Sequence, residues 1–151
     1  MGRPRIYPPL IMLATAATMW MLDRYFPLPE IFGLPWQRLG YVVMIAAVVL
    51  DLWALRLFLR SGTTVHPLRL DGNRALVTEG IYRLTRNPMY LGLLLLLVGF
   101  AIRLGSLTPF LVLPLFIGAM NRFQIAHEER FLSERYGKAY DDYRDRVNRW
   151  L

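Results

Sequence analysis

The sequence predicts an all-α, polytopic membrane protein with about four transmembrane helices and a C-terminal amphipathic helical segment. Three observations carry this. The chain of 151 residues is 55% hydrophobic, too apolar for an ordinary soluble domain of its size, and long enough for one domain over 1–151. Its apolar residues fall into four runs separated by Pro, Gly and charged residues. The formal charge of +7 comes almost wholly from arginine, with Lys138 the single lysine, and the arginines stand at the ends of those runs. That placement points to lipid headgroups and membrane topology, not to nucleic acid.

The first helix is expected over 10–26. Arg3, Arg5 and Pro8-Pro9 precede it, and Asp23-Arg24-Tyr25-Phe26-Pro27 follows as an aromatic interface and a stop, with no small-residue cleavage site of a signal peptide. Residues 27–38, rich in Pro and Gly, form an irregular connection. The second helix, 39–59, has about the 20 residues that a span requires. Asp51 interrupts it, and an intramembrane carboxylate is expensive. Its expected role is an internal polar tie between helices, satisfied by water or a partner such as Arg56.

A long polar connection follows, 61–87, with Asp71-Gly72-Asn73 and Glu79-Gly80 as turn signals. Its leucines and valines predict that it folds back against the membrane face. Asn87-Pro88 then opens the third helix, 88–104: Asn is a favoured N-cap and Pro suits the first helical position. Thr108-Pro109 repeats the device for the fourth helix, 109–126, where Pro114 predicts a kink. The third and fourth runs are short for full spans and together form a tight hairpin. In the C-terminal segment, 127–151, Leu132, Tyr136, Tyr140, Tyr143, Val147 and Trp150 make a helical stripe, and Gly137 divides it into two pieces.

Orientation follows from the cations. Two precede the first helix, six lie in or beside the long connection and seven lie from Arg122 to the end, whereas the other two connections hold only Arg24, Arg38 and Arg103. The positive-inside rule puts both termini and the long connection in the cytoplasm.

Two features meet on that side. At the mouth of the third helix stand Tyr82, Arg83 and Arg86, where free N–H groups and a positive dipole end suit an anion. Where the fourth helix leaves the membrane, the stretch from Arg122 carries His127, Glu128 and Glu129. Taken separately, the first reads as interfacial anchoring and the second as solvated ion pairs. The absence of cysteine excludes disulfides, thiolate metal sites and a cysteine nucleophile, and with two histidines no metal site is expected.

Arg86-Asn87-Pro88-Met89-Tyr90-Leu91-Gly92, an apolar hairpin, Glu128-Glu129 and the tail Tyr136-Gly137-x-x-Tyr140-x-x-Tyr143 together resemble the isoprenylcysteine carboxyl methyltransferase and phospholipid methyltransferase family. The resemblance covers roughly the C-terminal half, from Thr63. It implies an S-adenosylmethionine-dependent methyltransferase acting on a lipid-borne or hydrophobic acceptor, and a bacterial inner-membrane protein whose partners are lipids and that acceptor. On this resemblance the cofactor-binding residues are Tyr82, Arg83, Arg86, Asn87, Pro88, Tyr90, Gly92, Arg122, Glu128 and Glu129. The arginines suit the cofactor's carboxylate, the glutamates its ribose or amino group, the tyrosine faces its sulfonium. Gly92 lets the adenine or a neighbouring helix approach. Glu128 and Glu129 are the catalytic candidates, with His127 and His66 as further possible bases. Asn87 stands where the family often has His; it cannot titrate, so it can position a ligand but not act as a base. A non-enzymatic lipid-binding scaffold and a reductase-like relative are the alternatives.

Overall fold

The computed structural model describes residues 7–60 and 76–151. The fold-back of residues 61–75, the turn at Asp71-Gly72-Asn73 and His66 lie outside them. Among the described residues the chain is helical throughout, with one isolated bridge between Glu30 and Ser106.

Helix α1 (Pro8–Tyr25) starts on its two prolines, and α2 (Leu39–Arg60) follows a 3₁₀ turn at Trp36–Arg38. Helix α2 has its pattern inside out relative to a soluble helix. Gly40, Ala47 and Ala54, two turns apart, are buried, while Val42, Ile45, Val49, Leu52 and Trp53 are exposed. Small residues inside and bulky apolar ones outside are what a helix needs when its surroundings are hydrocarbon and its neighbour is close. This is the surface of a membrane protein.

The neighbour is α3 (Pro88–Leu104), the most extensively contacted partner of α2. A Cβ at Gly99 would lie 2.7 Å from the Gly40 carbonyl oxygen, so the two backbones touch there. Gly92 makes the next approach one turn pair away, beneath the Asp51 side chain.

Two helical stretches are long and apolar enough to cross a membrane, Trp36–Arg60 and Thr108–Tyr136. Four were expected. Helices α1 and α3 have 18 and 17 residues, about 26 Å or a little more, against a hydrocarbon core of about 30 Å.

The fourth helix differs from its expected form. It is one continuous rod: a 3₁₀ turn (Thr108–Val112), α4 (Leu113–Ala119), a π-helical turn (Met120–Ile125) and α5 (Ala126–Tyr136). The segment expected to separate at residue 127 is thus its direct extension. Pro114 falls in the first turn of α4, where the 3₁₀ turn passes into the α-helix. Thr108 does not cap the rod. Its hydroxyl donates to the Phe26 carbonyl at 3.0 Å and accepts from the Leu28 amide at 2.9 Å, fastening the connection after α1. Gly137, at φ +51°, ends α5 and turns the chain into α6 (Lys138–Arg146), a break that the sequence predicts.

Three apolar clusters hold these elements. One joins α1, α3 and the rod around Met19, Leu97, Phe116 and Met120. A second places Ile81 and Tyr82 of a 3₁₀ turn (Gly80–Arg83) against Ala54 of α2. The third is Tyr140, Tyr143 and Val147 of the tail, with Leu76, Leu132 and Tyr136. The second and third bring the approach to α3 and the C-terminal tail to one end of the bundle.

Candidate active site

The site is built where the tail crosses the start of α3. Beyond α6 the chain runs extended, and Arg86 donates its backbone N–H to the Asn148 carbonyl at 3.0 Å. The Arg149 carbonyl accepts twice, from the Thr85 hydroxyl at 3.2 Å and from Asn87 Nδ2 at 2.9 Å. Thr85, fully buried, also accepts from the Asn87 amide at 3.2 Å. Asn87 does hold the N-cap position of α3, but its side chain makes no capping bond. The expectation of a side-chain cap fails: a cap would accept through Oδ1, and the side chain is instead oriented by Nδ2 donating to the tail carbonyl. Trp150 secures the end of this strap by donating to Asn121 at 3.0 Å.

Beneath the strap, Glu129 lies between two guanidinium groups. Arg149 grips it side-on, Nε to Oε1 at 2.9 Å and Nη2 to Oε2 at 2.5 Å. Arg86 forms an ion pair with it, Nη1 to Oε1 at 3.0 Å, and the same nitrogen donates to the Tyr140 hydroxyl at 3.3 Å. Arg86 Nε is buried without a hydrogen-bond partner among the described residues. The Nε–Nη2 edge is the planar fork that matches a carboxylate. One carboxylate against two guanidiniums also leaves one positive charge in surplus: the Arg86 and Glu129 side chains are 11% and 16% exposed, and Arg149 is 37% exposed. Burial pushes the Tyr140 hydroxyl above the ordinary tyrosine range, partly offset by Arg86, so it stays protonated.

Glu128 belongs to a different group. Successive residues of a helix point about 100° apart, and Glu128 turns to α3, where it accepts from the Tyr90 hydroxyl at 2.5 Å. Gln124, on the π-helical turn, also reaches that hydroxyl. Tyr82 lies close enough to Glu128 for their charges to interact; its buried hydroxyl has no partner among the described residues, and burial raises its pKa well above the ordinary value. Two adjacent carboxylates are thereby divided, one set among tyrosines and the other among arginines.

The structure therefore brings Tyr82, Arg86, Asn87, Tyr90, Glu128 and Glu129 to one end of the bundle. It leaves others apart. Arg83 and Arg122 are exposed and enter none of these contacts, and His127 is exposed beside them. Pro88 is buried as the first residue of α3. Gly92 is covered by Asp51, so the approach it permits is that of a helix, not of an adenine ring. Asp51 does not pair with Arg56, which is exposed; five positions apart, the two face different sides of α2. Thr85, Tyr140 and Arg149 complete the site and were not among the expected residues. Tyr140 could have been found from the tail's aromatic stripe; Thr85 and Arg149 carry no local signal.

Residues 36–139 match the sequence model of the phospholipid methyltransferase family. The chain is 30% identical over 112 residues to a probable protein-S-isoprenylcysteine O-methyltransferase of Oryza sativa subsp. indica, covering 74% of this chain and 59% of that protein. It is 29% identical over 111 residues to protein-S-isoprenylcysteine O-methyltransferase B of Arabidopsis thaliana, covering 74% and 56%. An uncharacterized protein of Haemophilus influenzae is 43% identical over 63 residues, its whole length but 42% of this chain. The chain thus spans less than two thirds of the plant relatives, and Arg149 and the strap lie beyond the residues matched to the family model. With that match across more than half its length, taking in the Arg86–Gly92 motif and both glutamates, the chain belongs to the phospholipid methyltransferase family.

Proposed function

We propose that this protein transfers a methyl group from S-adenosylmethionine to a hydrophobic, lipid-borne acceptor at the cytoplasmic face of a bacterial inner membrane. The observation that carries this reading is the half-paired Arg86. Its buried Nε has no hydrogen-bond partner among the described residues, the side chain is 11% exposed, and it shares one carboxylate with a second guanidinium. Such a group suits a ligand carboxylate, which S-adenosylmethionine has, and α3 adds the positive end of its dipole.

When bound, S-adenosylmethionine supplies an electrophilic methyl group on a sulfonium. The chain's own residues would do the rest. Arg86 binds the carboxylate, and Glu129 orients Arg86. Tyr82 and Tyr90 offer aromatic faces to a cation, and the Tyr82 hydroxyl is a donor still to be used. Glu128 is the proton acceptor for a thiol or ammonium acceptor, reached directly or through the Tyr90 hydroxyl that it already binds. The strap and the buried Tyr140 and Tyr143 keep water from one side. In this reading α1 and α3 also cross the bilayer, shortened ends being met by tilt or local thinning. The acceptor enters laterally from the lipid in which it is dissolved.

The test is calorimetric titration of the detergent-purified protein with S-adenosylmethionine and its demethylated product. A hydrogen bond to a charged group contributes about 1.5–3 kcal/mol. With Glu128 also accepting from the cofactor's ribose or amino group, Arg86→Ala and Glu128→Gln are therefore expected to weaken binding roughly 10- to 150-fold. Arg144→Ala, which removes a half-exposed pair with Asp141 on α6, should bind like the parent. If the parent protein retains no S-adenosylmethionine while folded, the scaffold reading replaces this one.

A further inference from the structure

We propose that Arg149 is a positioning residue that keeps Arg86 half-paired, presenting its Nε–Nη2 edge to the ligand; this rests on the reading of Arg86 as the ligand's carboxylate anchor. Glu129 has two oxygens, and Arg149 engages both, at 2.9 and 2.5 Å. That side-on grip sets the plane of the carboxylate, which meets Arg86 through Oε1, 3.0 Å from Nη1 and not from the unpartnered Nε. Without Arg149, Glu129 would be free to turn and form a two-point fork with Arg86, because a buried guanidinium with unused donors gains most from such a pair. The edge that a ligand needs would then be closed by the protein's own carboxylate.

The strap is arranged to hold Arg149 in this place. Its carbonyl accepts from Thr85 and Asn87, the two neighbours of Arg86, and the preceding carbonyl accepts from the Arg86 amide itself. Trp150 fixes the far side on Asn121. Arg149 and Arg86 are thus registered to each other through the backbone, and that register does not depend on the Arg149 side chain. Charge points the same way. Two guanidiniums around one carboxylate remain one charge short of neutral, and a ligand carboxylate supplies it.

The experiment measures S-adenosylmethionine and S-adenosylhomocysteine affinity by calorimetry in four variants, with thermal unfolding as the folding control. Arg149→Ala keeps the carbonyls that tie the strap and should weaken binding roughly 10-fold. Arg149→Lys should not restore it, since an ammonium cannot engage both oxygens of Glu129 in one plane. The decisive variant is Arg149→Ala combined with Glu129→Gln. It should bind more tightly than Arg149→Ala alone, because a neutral amide competes poorly for Arg86. A plain structural brace makes the second change additive or harmful. Parent-like binding by Arg149→Ala, or a double variant no better than the single, overturns the proposal. Arg86→Ala separates the two levels: if it too binds like the parent, the anchor reading itself falls, and if it weakens binding while the Arg149 variants fail, only the positioning role falls.

Discussion

Asp51 and Gly92 show how one residue's size decides what a charged neighbour can do. A Cβ at Gly92 would overlap the Asp51 carboxylate, standing 2.6 Å even from its farther oxygen. The nearer oxygen is buried with no hydrogen-bond partner among the described residues. Asp51 is therefore accommodated sterically by Gly92 and not held by a pair with Arg56. Gly92→Ala should destabilise the protein by about 1–3 kcal/mol, the usual range for overpacking a tight contact. Asp51→Ala in the same chain should recover most of that loss, since it removes the group that the new methyl strikes. Thermal unfolding in detergent checks both, and a Gly92→Ala protein that melts like the parent would contradict the packing of α2 on α3.

At the level of elements, α6 and the strap are attached to the membrane helices by few but specific bonds. The Tyr143 hydroxyl donates to the Tyr82 carbonyl at 2.7 Å, and Tyr140 receives Arg86. Burial, chiefly, pushes the Tyr143 hydroxyl up to about 12, against about 10 in an unfolded chain. The sign follows from which state holds the proton more tightly. The folded state does, so the contribution is fully present below about pH 10 and is lost as pH rises through about 12. Unfolding temperature measured between pH 9 and 12 should fall more steeply in the parent than in Tyr143→Phe. The Phe variant should also be less stable at neutral pH by about 1 kcal/mol, the worth of one hydrogen bond. Parallel pH curves would mean that Tyr143 does not carry the alkaline transition.

Across the whole molecule, the two ends of the bundle differ in charge and in chemistry. The connection after α1 and the turn after α3 are joined at one end: Ile31 and Phe32 donate to the Gly105 carbonyl, at 2.9 and 3.0 Å, and Leu107 donates to Pro29 at 3.2 Å. Asp23 accepts from Ser106 there. That end has Arg24, Arg38 and Arg103, the last engaged with Tyr41 at 2.8 Å. The opposite end holds Arg86, Arg149 and both glutamates. Under the positive-inside rule, a reporter fused at Leu151 should read cytoplasmic and one inserted near Pro29 should read external. A cytoplasmic signal from Pro29 would reverse the orientation and take the cation-rich end, with the site, off the cytoplasmic side.

What the sequence determined by itself depends on near neighbours in the chain. Helices α2 and α3 fall where the apolar runs put them, 39–59 against Leu39–Arg60 and 88–104 against Pro88–Leu104, because a proline start and an apolar run act locally. The division at Gly137 is of the same kind. The motif Arg86–Gly92 and the glutamate pair were legible as residue types that a ligand needs. Tertiary structure alone decided the partners. Asn87 could cap its own helix or bind a distant carbonyl, and only the passage of the tail at residue 149 settles that. Which of seventeen arginines would meet Glu129 is not written in spacing, since Arg149 is twenty residues away and Arg86 forty-three. Ion pairs and buried hydrogen bonds are chosen by geometry after the helices pack, and packing is a property of the whole chain.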